Sequence, residues 1–383
     1  MSFPQKQVVA TIREFVECES PSDNPASVNR FVDLLAETVK DIARVKTYKG
    51  GAARGKHFRC EFLLPGQKSG VGRKSGIGKS GQILALGHSD TVWPLGTLRS
   101  MPFRQAQGRL WGPGVFDMKA GLVFFIFAMR ALRERDVRVA RKVVLQVNSD
   151  EEVGSASSRS LTEEAARASA AVLVLEPSQG LDGKLKTARK GVGDYTVTVR
   201  GRAAHAGLDF LKGASAIVEM ARQVQRIAGF TRLDRGITVS PGLIRGGTRS
   251  NVVAEECWVE VDVRAPSSAD ARYLERQFAS LKPFDKRCTI KVTGGMNRPP
   301  LERTAGVRAL FRKARALAAE LGVNLGESSA GGGSDGNFTA ALGVPTLDGL
   351  GAVGEGAHAI NESILIDRMA DRIALLSKLV AAL

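Results

Sequence analysis

His88 and Asp90 stand two apart in Leu86-Gly-His-Ser-Asp-Thr-Val, at the end of an apolar run. On an extended chain positions i and i+2 share a face. Asp90 can therefore orient the His88 ring while that ring binds a metal. Asp117 lies in Gly112-Pro-Gly-Val-Phe-Asp-Met-Lys-Ala-Gly, where a Gly/Pro loop enters a helix. Its carboxylate has two oxygens and can bridge two cations. Glu151 and Glu152 are adjacent in Asn148-Ser-Asp-Glu-Glu-Val-Gly-Ser. Neighbouring carboxylates repel unless cations neutralise them or one takes a proton. Glu176-Pro-Ser follows another apolar run, and His358 sits in Gly354-Glu-Gly-Ala-His-Ala-Ile-Asn-Glu. Each alone has an ordinary explanation: a surface histidine, a solvated acidic pair, a helix start. In order, and several of them at strand ends, they form the ligand set of a dinuclear centre. Imidazoles and carboxylates suit zinc, with cobalt or manganese as alternatives.

Such a centre needs strands that end together. Strands are expected at 58–64, 83–86, 142–147 and 171–175, and helices at 4–19, 25–47, 119–133 and 157–168. Strands alternating with helices imply a mixed, mostly parallel α/β sheet, and sites in such sheets assemble at the carboxyl ends of the strands. From about Leu185 the pattern changes. Strand 194–200, helix 214–227, strands 236–244 and 252–263, helix 269–281 and strand 288–292 follow in β-α-β-β-α-β order, a ferredoxin-like α+β unit. Helix 304–321, strand 344–347 and helix 365–382 close the chain. The expected architecture is an α/β catalytic domain, residues 1–186 and 299–383, interrupted by an inserted α+β domain at 187–298. The basic, Gly/Ser-rich stretch 65–81 reads as a linker. Its Gly78-Lys-Ser fits the end of a phosphate-binding loop, but Arg73 stands where the first glycine belongs and a strand follows, not a helix.

Composition sets outer limits. The 383 residues are 43% hydrophobic and 25% charged, with a net charge of +16. The longest apolar run, Leu122–Met129, is far short of the roughly 20 residues that span a bilayer, so no membrane partner is expected. The opening residues are amphipathic, so no secretory leader is expected either. Four scattered cysteines without a Cys-x-x-Cys pair suit a reduced, cytoplasmic protein. The segment Lys40–Arg109 carries 14 Lys/Arg against 3 acids, and a basic surface attracts anions generally. Aromatics make up only 6% and do not interleave with these bases, so no nucleic-acid partner is expected.

The succession of motifs resembles the dinuclear zinc hydrolases that include glutamate carboxypeptidases, aminoacylases, succinyl-diaminopimelate desuccinylases, acetylornithine deacetylases and tripeptide aminopeptidases. It covers nearly the whole chain. Gly331-Gly-Gly-Ser-Asp-Gly-Asn, Ser250-Asn-Val-Val and Val261-Asp-Val-Arg-Ala-Pro are most similar to the glutamate carboxypeptidase-like members. The resemblance implies two Zn2+ per subunit: one held by His88 and Glu176, the other by Glu152 and His358, with Asp117 bridging and followed by a cis peptide. It implies Glu151 as general base and a homodimer through the inserted domain, which would also act as a lid. His205, in Gly201-Arg-Ala-Ala-His-Ala-Gly, would stabilise the oxyanion in the partner's site, although the residues alone also read as a plain turn. Asn251 and Arg264 would contact substrate, although Arg264 alone reads equally as a surface strand residue. The implied activity is a carboxypeptidase-type hydrolase. It would cleave a small-molecule or peptide substrate with a free carboxylate and release a C-terminal residue such as glutamate. The alternative is an aminoacylase or deacetylase acting on N-acyl amino acids.

Overall fold

The apolar run ending at His88 becomes the strand Gln82–His88, flanked on both sides in a six-stranded sheet. In sheet order the strands are Ala43–Tyr48, His57–Phe62, Val143–Asn148, Gln82–His88, Ser169–Val174 and Thr346–Leu347. The first two pairings are antiparallel and the remaining three parallel. Strands covered on both faces read as continuous hydrophobic runs, and every residue of Val143–Asn148 is buried. The helix Ala120–Glu134 is buried from Ala120 to Met129 and packs against Met369–Ala382. This explains why the longest apolar run of the sequence is a core helix. No helix among the described residues is long and apolar enough to cross a membrane.

This structure is a computed structural model, which describes residues 4–67 and 81–383. Most of the Gly/Ser-rich linker 65–81 lies outside the described residues. The chain divides into two units. One runs to Ala188 and takes in Arg303–Ala330 and Ser334–Leu383; the other is Arg189–Glu302 with Gly331–Gly333. In the second unit Thr238–Gly246, Glu256–Ala265, Gly191–Arg200 and Thr289–Arg298 form an antiparallel sheet in that order. Gly191–Arg200 buries alternate residues, and helices Ala216–Ala228 and Ser268–Ala279 pack on the sheet. Element order and strand order are those of a ferredoxin-like unit.

Three expectations fail locally. The helix expected over 25–47 stops at Val39, and Ala43–Tyr48 is a strand. It is an edge strand, exposed from Arg44 to Thr47, and its apolar/polar alternation, Ala43-Arg-Val-Lys, is too short to set it apart from the helix pattern before it. The strand expected over 252–263 is two strands. Val252–Val253 pairs with Ala204–His205, and Glu256–Ala265 joins the sheet. The helix expected from residue 365 begins at Met369, because Ser363–Leu365 is a strand. That strand belongs to a small antiparallel sheet ordered Gly354–Glu355, Ser363–Leu365, Arg109–Trp111, Arg104–Ala106. Its strands are two or three residues long, too short for periodicity to mark. They matter, because they bring the loop after Trp111 against the loop before Ser363.

Candidate metal centre

Three adjacent parallel strands end on the same edge of the main sheet. Gln82–His88 ends in His88, Val143–Asn148 leads into the Glu151–Val153 turn, and Ser169–Val174 leads to Glu176. The small sheet adds Asp117, at the entry to the helix Ala120–Glu134, and His358, which adopts a positive φ of 62°. The Asp117–Met118 peptide is cis.

These side chains converge. His88 Nε2 lies 3.1 Å from Asp117 Oδ1 and 3.6 Å from Glu176 Oε1. His358 Nε2 lies 3.5 Å from Asp117 Oδ2 and 3.3 Å from Glu152 Oε2. The two oxygens of Asp117 thus face different imidazoles, the geometry of a bridging carboxylate. Ligand atoms of His88, Asp117 and Glu152 lie within 4.8 Å of one another, as do those of His88, Glu151 and Glu176. Glu152 Oε1 is buried without a hydrogen-bond partner among the described residues. Burying a carboxylate oxygen unpartnered is costly, and a divalent cation would satisfy it. Nitrogen and oxygen donors fit zinc, cobalt or manganese.

The electrostatics show the same surplus of negative charge. Burial alone would push the His88 imidazole down, but Asp117, Glu152 and Glu151 outweigh it and hold it well above its ordinary value. Hydrogen bonds to Asp117 and Glu152 raise His358 to about 10. Burial would raise Asp117, yet His358 and His88 hold it well below the usual carboxylate range.

Asp90 does a different job from the one its spacing suggested. His88 Nδ1 donates to the Asp90 main-chain carbonyl at 2.8 Å, while the Asp90 carboxylate stands off at 3.6 Å. A carbonyl can only accept, so Nδ1 keeps its proton and Nε2 is the ring nitrogen turned towards Asp117, the one that would bind a metal in place of its own proton. The carboxylate instead accepts from the Glu151 and Glu152 N–H groups, each at 3.2 Å, and from Ser22 Oγ at 2.7 Å. Burial pushes Asp90 up to about 6, against the pull of His88. One residue thus fixes both a ring and the acidic turn beside it.

Two supporting groups carry no sequence signal of their own. His57 is fully buried. Its Nδ1 accepts from Ser149 N–H at 3.2 Å, so its Nε2–H donates to Ser157 Oγ at 3.1 Å. Ser157 Oγ–H and N–H both donate to Asp150 Oδ2 at 2.7 Å. That chain braces the turn at Asp150, the residue before Glu151. Glu362 ends the His358 motif. Burial pushes its carboxyl up to about 7, against the pull of surrounding N–H groups.

His205, Asn251 and Arg264 lie in the second unit. The exposed His205 Nδ1 accepts from Gly207 and Leu208 N–H, both at 3.1 Å. Its ring proton is therefore on Nε2. The Asn251 carbonyl accepts from Ala206 N–H at 3.0 Å, which ties Asn251 to the His205 loop. Arg264 forms a two-point pair with Asp262, at 2.9 and 2.7 Å, along one face of its strand.

Comparison with known proteins places the chain among others. Residues 84–382 match peptidase family M20/M25/M40. The chain is 29% identical over 360 residues to carboxypeptidase G2 of Pseudomonas sp. strain RS-16, covering 93% of this chain and 84% of that one. It is 27% identical over 349 residues to a succinyl-diaminopimelate desuccinylase of Acidovorax ebreus, covering 81% and 85%. Its fold is similar to that of aminopeptidase PepT from Bacillus cereus, with a TM-score of 0.78, 23% identity, and coverage of 99% and 98%. With the match spanning most of its length, the chain belongs to peptidase family M20/M25/M40, the metallo-hydrolases towards which its motifs pointed.

Proposed function

We propose that the protein hydrolyses the amide bond of a small-molecule or peptide substrate with a free carboxylate, as a carboxypeptidase releasing a C-terminal residue such as glutamate. The observation that carries this is Asp117 facing His88 with one oxygen and His358 with the other, with Glu151 next in sequence to the ligand Glu152. His88 and Glu176 would hold one cation and Glu152 and His358 a second, with Asp117 shared; zinc fits the donors. Two such cations would polarise the substrate carbonyl and make an attacking water more acidic.

The chain's own groups do the rest. Glu151, next in sequence to Glu152 and beside His88 and Glu176, takes the proton of the attacking water and returns it to the leaving amine. Asp90 fixes the Glu151 main chain, so that this carboxylate is presented at a set angle. His205 offers an Nε2–H donor to the developing oxyanion. Arg264 offers a planar fork to the substrate carboxylate, exchanging Asp262 for it, and Asn251 adds a polar contact. The net charge of +16 favours acidic substrates.

We further place the protein in the cytoplasm as a homodimer through the inserted unit, which acts as a lid. The four cysteines are unpaired and three are buried, which suits a reducing compartment. The strand Thr238–Gly246 is a sheet edge with Leu243 and Ile244 exposed, and Ile217 and Val218 of the helix Ala216–Ala228 are exposed too. Pairing with a second copy would cover such an edge.

The likeness to a desuccinylase keeps an N-acyl amino acid hydrolase as the second reading. One experiment separates them: amine release from C-terminal glutamyl peptides, other dipeptides and N-acyl amino acids, with zinc-loaded protein, with and without chelator. Chelator-sensitive release from the peptides is expected. Release from N-acyl amino acids alone would favour the second reading. No release and no bound metal would overturn both.

A further inference from the structure

Glu362 is completely buried, and no step of the proposed reaction uses it. Its Oε1 accepts from Phe116 N–H at 2.9 Å and Asp117 N–H at 3.0 Å. Its Oε2 accepts from Gly114 N–H at 2.8 Å and Trp93 Nε1–H at 2.7 Å. Both oxygens are thus doubly engaged by donors. The donors come from separate segments. Gly114, Phe116 and Asp117 belong to the turn that carries the bridging carboxylate, and Trp93 to the loop that follows His88. Glu362 itself lies four residues after His358 on the loop into the strand Ser363–Leu365. Successive main-chain N–H groups aimed at one anion make a rigid cradle, and hydrogen bonds to a charged acceptor are the strong kind. The cradle here is closed by a side chain of the protein itself.

We propose that Glu362 is the positioning residue of the metal centre, tying together the loops that carry His88, Asp117 and His358. The inference rests on the metal-centre reading above. With Glu362 in place, the Asp117 main chain cannot rotate, so its two carboxylate oxygens stay aimed at different imidazoles. Glutamine at 362 keeps the shape but changes the chemistry. Its amide NH2 would face N–H donors on one side, turning two of the four bonds into donor–donor contacts.

The test is a Co2+ titration of metal-free wild type, Glu362→Gln and Trp93→Phe, followed by equilibrium dialysis and the visible Co2+ spectrum. Far-UV circular dichroism of the metal-free proteins checks the fold. Wild type should bind two Co2+ per chain. Glu362→Gln should keep the fold, bind about 10- to 100-fold more weakly, and shift the visible bands, because the ligand geometry changes. Trp93→Phe removes one donor and keeps the three main-chain bonds, so it should weaken binding by only about threefold. A folded Glu362→Gln with wild-type affinity and spectrum would overturn the role of Glu362 and leave the centre standing. If Glu362→Gln does not fold, Trp93→Phe decides, and wild-type affinity and spectrum there would overturn the role. Wild type that binds no Co2+ would overturn the centre itself.

Discussion

Glu151 and Glu152 are chemically identical neighbours, and the short turn from Glu151 to Val153 gives them different surroundings. Glu152 Oε2 faces His358 at 3.3 Å and its Oε1 is buried, whereas Glu151 lies on the His88–Glu176 side. The proposed division of labour, Glu152 as ligand and Glu151 as base, rests on that difference. In the proposed scheme, replacing Glu151 by Gln removes the base without removing a ligand. The variant should bind two metals as wild type does and lose about 10²- to 10⁴-fold in kcat. Metal content and kcat measured on the same preparation check this, and a variant that keeps its turnover would take Glu151 out of the base role. At this scale the sequence was informative wherever a residue closed a strand or followed a glycine. His88 closes its strand, Glu176 and Glu152 come two and four residues after the ends of theirs, and Asp117 follows Gly112-Pro-Gly-Val-Phe. Asp90 shows the limit. Its spacing placed it correctly beside His88, but which of its atoms met the ring depended on the Glu151 and Glu152 N–H groups competing for the carboxylate. Glu362 is separated by 245 positions from the Asp117 N–H it accepts, and no local pattern records such a partner.

Loops, more than strands, decide the geometry, and the Glu151 turn is the clearest case. It is held both by the Asp90 carboxylate and by the chain His57–Ser157–Asp150. His57 must stay neutral there, because Ser149 N–H occupies its Nδ1. Burial accordingly holds His57 below its ordinary value, with Asp150 and Asp335 pulling the other way. For a base whose folded pKa is lowered, the unfolded chain takes the proton first. The contribution to stability is therefore full above the unfolded value, about 6.5, and shrinks as pH falls through it until folded His57 protonates. His57→Gln lacks that term. On metal-free protein at pH 7 it should cost about 1 kcal/mol, from lost hydrogen bonds. Its disadvantage against wild type should shrink between pH 7 and pH 5. With metal bound it should lower kcat, by up to about 10²-fold, with KM little changed. Melting midpoints at the two pH values check the first part; a constant gap would show that His57 does not titrate in this window. The elements that periodicity missed are of the same kind. The Ala43–Tyr48 edge and the small sheet under Asp117 and His358 are held by main-chain pairing, which leaves little trace in side-chain pattern.

The cation ligands all belong to one unit, while His205, Asn251 and Arg264 belong to the other. The proposed dimer makes this division functional, since an oxyanion donor carried on the partner completes a site only after association. Subunit mixing tests it. His205→Ala should bind metal normally and turn over poorly, and so should Glu151→Gln. If His205 acts across the dimer, a mixed dimer pairs an intact Glu151 on the His205→Ala chain with an intact His205 from its partner, restoring one of two sites. Random exchange makes about half the dimers mixed, so activity should recover to about a quarter of wild type. If His205 acts within its own chain, every site in the mixture lacks one group and nothing recovers. Charged residues at Leu243 and Ile244, on the exposed sheet edge, supply the matching control. Leu243→Asp with Ile244→Asp should yield monomers that keep their metals and lose turnover by about as much as His205→Ala does. Monomers with full activity would place the oxyanion donor, and the completed site, within a single chain.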